Sequence, residues 1–118
     1  MGCDIHLYAE RNWFPGEWEL GVDAETLDQN YTLFAALAGV RADSDRPAGF
    51  APRGLPENLS EYVRAAVDED NGHTPSWLTI EEAQTLVGIS DRFDALLAYI
   101  AAVTKWDERW RLVFWFDS

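Results

Sequence analysis

Residues Asp4-Ile5-His6-Leu7-Tyr8-Ala9-Glu10 alternate with period two. Ile5, Leu7 and Ala9 fall on one side, with Cys3 in phase, and Asp4, His6, Tyr8 and Glu10 fall on the other, which predicts a half-buried strand. Phe14-Pro15-Gly16 reads as a turn, because proline presets φ and glycine accepts positive φ. Trp18, Leu20 and Val22 then alternate with Glu17 and Glu19, so an N-terminal hairpin is expected from Asp4 to about Val22. Further on, Phe34, Leu37 and Ala38 have helical spacing and Gly39 supplies a stop. Residues 41–56, with Pro47, Gly49, Pro52, Gly54 and Pro56, read as a loop, and loops this long are usually functional or mobile.

Asn58 or Ser60 caps a helix reaching about Val67, with Leu59, Val63 and Ala66 or Val67 on one face. Thr79-Ile80-Glu81-Glu82 fits a capping box, and Gly88 closes that short helix. Ser90 and Asp91 open another, in which Phe93, Leu96, Leu97, Ile100 and Val103 recur at helical spacing. Trp110 to Phe116 is aromatic and branched and favours a strand. In that strand Trp110, Leu112, Phe114 and Phe116 share one face, while Arg111, Val113, Trp115 and Asp117 share the other. The order predicts a single α+β domain over 1–118: a small antiparallel sheet, made of the N-terminal hairpin and the C-terminal strand, with three to four helices packed on one face.

Composition narrows the function. The chain has 118 residues, 47% of them hydrophobic and 25% charged, which is globular composition. Its 21 acids against 9 Lys+Arg give a net charge of −12, which argues against direct nucleic-acid binding and against anionic membrane surfaces. No apolar run approaches the ~20 residues of a membrane helix. The first apolar stretch is interrupted by Asp4, His6 and Glu10, unlike a secretory leader. A lone cysteine, Cys3, excludes an internal disulfide and points to a cytoplasmic setting. Its phase with Ile5 and Leu7 makes it a core residue rather than a nucleophile.

Two kinds of chemistry remain. Asp4 and His6 project from one side of a strand at a spacing that metal sites use. With His73 and Asp117 nearby they would form a four-ligand site for a divalent metal such as Zn or Mn, serving a hydrolase or a small-ligand binder. The plainer expectation is a polar sheet face with His73 bracing a loop, and no cofactor. The second kind is electrostatic. A monomer of this mass exposes ~6,500 Å², so the net charge spread evenly is one per ~540 Å². Duplex DNA carries on the order of one charge per ~100 Å². Carboxylates can therefore imitate phosphates only where they cluster. Clusters occur at Glu17, Glu19, Asp23, Glu25 and Asp28, at Asp43 and Asp45, and at Asp68, Glu69 and Asp70. Trp115, on the face opposite Phe114 and Phe116, is a candidate aromatic anchor if no helix covers it.

Several segments carry a resemblance: Met1-Gly2-Cys3-Asp4-Ile5-His6, Asn30 to Arg41, Pro52-Arg53-Gly54-Leu55-Pro56, Gly72-His73 with Ser76-Trp77-Leu78, and Val113 to Asp117. Together they resemble a family of small bacteriophage and prophage proteins beginning Met-Gly-x-Asp-Ile-His. The resemblance implies an accessory role in the cytoplasm of a bacterial host, and relatives often carry a second histidine where this chain has Pro75, which cannot ligate a metal. The expected function is an acidic, non-enzymatic binder that inhibits a host defence protein with a basic surface, by nucleic-acid mimicry. Glu17, Glu19, Asp23, Glu25, Asp68, Glu69 and Asp70 would form the contact, with Arg53 or Trp115 as anchor.

Overall fold

The computed structural model describes residues 2–14, 17–24 and 27–117. Along them run β1 (Asp4–Phe14), β2 (Glu17–Asp23), α1 (Tyr31–Ala38), α2 (Glu61–Glu69), β3 (His73–Thr79), α3 (Ile80–Gln84), α4 (Asp91–Val103) and β4 (Arg109–Asp117). The strands form one antiparallel sheet in the order β2-β1-β4-β3, an α+β architecture. The turn expected at Pro15-Gly16 lies outside the described residues.

Period-two alternation builds the main core. Cys3, Ile5, Leu7 and Ala9 meet Leu112, Phe114 and Phe116, in the register Ile5↔Phe116, Leu7↔Phe114 and Ala9↔Leu112. Leu33, Phe34 and Leu37 of α1 and Phe93, Leu97 and Ile100 of α4 close over them. The caps follow from residue chemistry. The Asn30, Ser60 and Ser90 side chains accept from Leu33, Val63 and Phe93 N–H, and Thr79 with Glu82 forms the capping box. Gly39 ends α1 in the left-handed region at φ 74°, where a Cβ would be strained.

Two expectations are corrected. The helices do not all lie on one face: α2 covers the other, packing Val63 against Tyr8, Val113 and Trp115. Central strand β4 is therefore buried on both sides. The segment read as a loop around His73 is a fourth strand, β3. Pro75 is tolerated there because β3 is an edge, and the register slips between His73 and Ser76, where Thr74 takes φ 54°.

The long segment 41–56 is tied down rather than loose. Gly49 N–H donates to Ala35 O at 3.0 Å and Phe50 N–H to Ala36 O at 2.9 Å. A Cβ at Gly49 would collide with the Ala36 backbone, so only glycine allows this approach. Gly54 N–H then donates to Pro75 O at 3.0 Å, sealing the outer edge of β3.

Candidate functional site

The four polar side chains of β1 do not share one solvated surface. Asp4 stays exposed and accepts from Gln29 Nε2 at 2.7 Å. Tyr8 and Glu10 are buried beneath α2. His6 sits between them, with its Nε2 on Asp117 Oδ2 and its Nδ1 3.5 Å from Asp70 Oδ2. Its ring stacks on Trp115, with centroids 5.8 Å apart and planes at 15°, and the Trp115 indole N–H donates to Asp70 Oδ2 at 3.2 Å. The expected meeting of His6 with Asp117 occurs because antiparallel pairing sets Asp4 opposite Asp117 and His6 opposite Trp115.

His73 does not join this group. It pairs with Phe116, whose side chain belongs to the main core, so it lies on the opposite face from His6. Its Nδ1 meets Thr74 Oγ1 at 2.9 Å. Asp70 and Asp117 address different ring nitrogens of His6, so the carboxylates flank the imidazole rather than converge on one point. Among the described residues no three His, Cys, Asp or Glu are grouped to hold a metal ion. The His6 cluster ties β1 to the ends of α2 and β4. Cys3 is fully buried, and burial pushes its thiol up from the usual value, which disfavours the thiolate.

The buried Glu10–Arg111 pair is a feature the sequence reading missed. Arg111 Nε donates to Glu10 Oε1 at 2.7 Å, and Ser60 N–H donates to Glu10 Oε2 at 2.8 Å. Arg111 also stacks over Trp18 at 3.9 Å. Trp18, expected in the strand core, is instead half-buried on the α2 side, as the floor for this guanidinium.

Trp115 is not a surface anchor. It is 3% exposed, because α2 covers its face of the sheet. Arg53 is committed internally: it pairs with Glu82 through both guanidinium nitrogens at 2.7 and 2.5 Å and lies 4.9 Å above the Trp77 ring. The Arg53 hydrogen bonds hold the Glu82 carboxyl down at about 2, against 4.5 ordinarily. A carboxyl depressed in the folded state stabilises above its unfolded pKa and loses that contribution as pH falls. Relative to Glu82→Gln, the wild-type chain should therefore lose about 1 kcal/mol between pH ~4.5 and ~2, modest because the pair is partly solvated. Urea unfolding of both forms across this range checks it, and a constant difference between them would contradict the pairing.

The acids do gather. Glu17, Glu19 and Asp23 are exposed on β2, and α2 packs beside that strand, with the Tyr62 hydroxyl donating to Asp23 Oδ2 at 3.0 Å. Glu61, Asp68 and Glu69 lie exposed along α2, where Arg64 is the one basic residue. Asp70, Asp117 and Asp4 continue the series at the end of the sheet. Glu25 lies outside the described residues. Glu17, Glu19 and Glu61 also line a groove of about 800 Å³ with Trp13, Trp18 and Tyr62.

Trp106 escaped the sequence reading altogether. It stands 97% exposed in the turn between α4 and β4. The preceding Lys105 places its Nζ 4.6 Å above Trp13, at the end of the groove. The available signal was a tryptophan between Lys105 and Asp107, in phase with no apolar pattern.

Compared with known protein families, curated proteins and solved structures, the chain matches none. No helix among the described residues is long and apolar enough to cross a membrane.

Proposed function

We propose that the protein is a non-enzymatic binding module whose acidic side docks on a basic surface of another protein, in competition with nucleic acid. The observation that carries this reading is the series Glu17, Glu19, Asp23, Glu61, Asp68, Glu69, Asp70, Asp117 and Asp4 along β2, α2 and the adjoining sheet end, with Arg64 as the only basic residue of α2. Within the series Glu19 is held by an arginine, Arg11, whereas Asp43, Asp28 and Glu82 of the remaining surface pair with Arg46, Arg92 and Arg53. Clustering is the condition carboxylates must meet to imitate phosphates, and this series supports the reading.

A magnitude sets the form of the mimicry. Duplex DNA spanning the 41 Å long axis of this molecule would carry about 24 charges. The nine acids named above supply fewer than half of these, so the module covers part of a nucleic-acid groove rather than reproducing a duplex. The resemblance to phage proteins supports a bacterial defence protein as target and the host cytoplasm as setting.

The test is capture from bacterial lysate at low salt and at about 1 M salt, where the Debye length is ~3 Å. A specific partner should be retained at low salt, released by duplex DNA, and lost at high salt. Capture should also fail for the combined Glu61→Gln, Asp68→Asn, Glu69→Gln variant. Retention undiminished at high salt, or by that variant, would overturn the proposal.

A further inference from the structure

The two edges of the sheet are treated differently. The outer edge of β3 is sealed by Gly54 on Pro75 O and by Arg53, whose N–H donates to Ser76 Oγ at 2.9 Å and whose guanidinium reaches Trp77 O at 3.3 Å. β2 is the opposite terminal strand, and one row of its backbone groups has no strand partner among the described residues. Consecutive residues Glu17, Trp18, Glu19 and Leu20 all line the groove. Because side chains alternate between faces, the groove borders the strand's edge and not merely one face.

The chain itself shows what this surface chemistry holds. Three times an arginine lies over a tryptophan and is gripped by a carboxylate: Arg111 over Trp18 with Glu10, Arg11 over Trp13 with Glu19, and Arg53 over Trp77 with Glu82. A planar guanidinium suits such sockets because it stacks and forms directed hydrogen bonds together, which a lysine ammonium does not. Unused parts of the same kind remain in the groove and on the α4–β4 turn, whose Lys105 reaches the groove's Trp13. Glu17 and Glu61 have no ion-pair partner among the described residues, and Trp106 presents an open indole beside Asp107. Arg11 and Lys105 already occupy the Trp13 ring. A further cation is therefore directed to Glu17, Glu61 and Trp106.

We infer that the outer edge of β2 receives an extended, arginine-rich segment of the partner, which adds as a fifth strand with its guanidinium groups on Glu17, Glu61 and Trp106. Strand addition supplies backbone hydrogen bonds, while alternate side chains read the groove. A second copy of this chain fits less well, since β2–β2 pairing would bring Glu17 and Glu19 of both copies, four carboxylates, onto one short edge. The inference rests on the acidic docking reading and narrows it to one edge and one side chain.

The experiment titrates the full chain at low salt with a short peptide alternating Arg and Val, and with its Lys–Val counterpart. Tryptophan fluorescence reports affinity, and hydrogen exchange reports the β2 amides. The arginine peptide should bind about tenfold more tightly than the lysine peptide. It should also slow exchange at alternate amides within Glu17–Leu20. Glu17→Gln with Glu61→Gln, and separately Trp106→Ala, should each weaken it about tenfold without lowering unfolding stability, since these side chains are exposed. Equal affinity for both peptides with unprotected β2 amides would overturn the strand-edge assignment and leave the acidic-side reading standing. Failure of both peptides to bind would overturn the two together. Protection of β2 by self-association without peptide would assign the edge to a second copy and likewise overturn the inference.

Discussion

Replacing Glu10 by alanine is expected to destabilise the protein by about 3–5 kcal/mol, the loss that follows when one partner of a buried ion pair is removed. Glu10 is 0% exposed and Arg111 6%. Both carboxylate oxygens are in use, Oε1 by the Arg111 guanidinium and Oε2 by the N–H of Ser60. Ser60 is the cap of α2, and the Arg111 Nη2 also donates to Asn58 O at 3.3 Å, just before that cap. The substitution would therefore strand a buried guanidinium and an unpaired N–H where α2 enters the sheet. Burial already pulls the Arg111 guanidinium below its usual pKa, with the Glu10 carboxylate opposing that shift, so losing Glu10 removes the opposition. Urea unfolding measures the loss, and hydrogen exchange should localise it to α2. Replacing both partners, Glu10→Leu with Arg111→Met, should recover part of the stability, because an apolar pair avoids the stranded charge while the Ser60 N–H stays unpaired. A single variant as stable as wild type would show that Arg111 finds water, contradicting its burial.

The Glu10 case shows where one-dimensional pattern loses information. Alternation places Asp4, His6, Tyr8 and Glu10 on one side of β1, and that side faces α2. It does not say that the side is covered. The sign of coverage was in β4, where Val113 and Trp115 make the second face apolar too, and in α2, whose Val63 and Val67 needed a place to pack. Elements defined by local periodicity and caps were readable: β1, β2, β4, α1, α4 and the Thr79–Glu82 box. β3 was not, because Gly72 and Pro75 are breakers in isolation and Pro75 becomes acceptable only at a sheet edge. The same limit applies to the candidate site. Asp117 reaches His6 because both lie on central paired strands whose register follows from alternation. His73 misses it because β3 joins from the far side of β4 after a register slip that no local pattern announces.

Trp115→Ala and Trp106→Ala should have opposite consequences. Trp115 stacks between His6, at 5.8 Å, and Tyr8, at 5.3 Å, and its indole N–H is bonded to Asp70. Truncation would open a cavity under α2 and release the carboxylate that sits beside His6, so a loss of about 3–5 kcal/mol is expected. Trp106 makes no comparable contact at 97% exposure, and its truncation should change stability by no more than about 0.5 kcal/mol. The two variants thus separate a tryptophan that holds the fold from one available to a partner. Six tryptophans look alike in composition, yet exposure divides them, and the sequence cue is whether each falls in phase with an apolar face. Trp115 has such a phase with Val113, whereas Trp106 stands between Lys105 and Asp107 in a turn. Chemical unfolding of both variants beside wild type, followed by titration of Trp106→Ala with the Arg–Val peptide, measures the two roles in one preparation. If Trp115→Ala unfolds like wild type, α2 does not pack on the sheet as described. If Trp106→Ala loses several kcal/mol, its side chain is buried in solution and is no anchor.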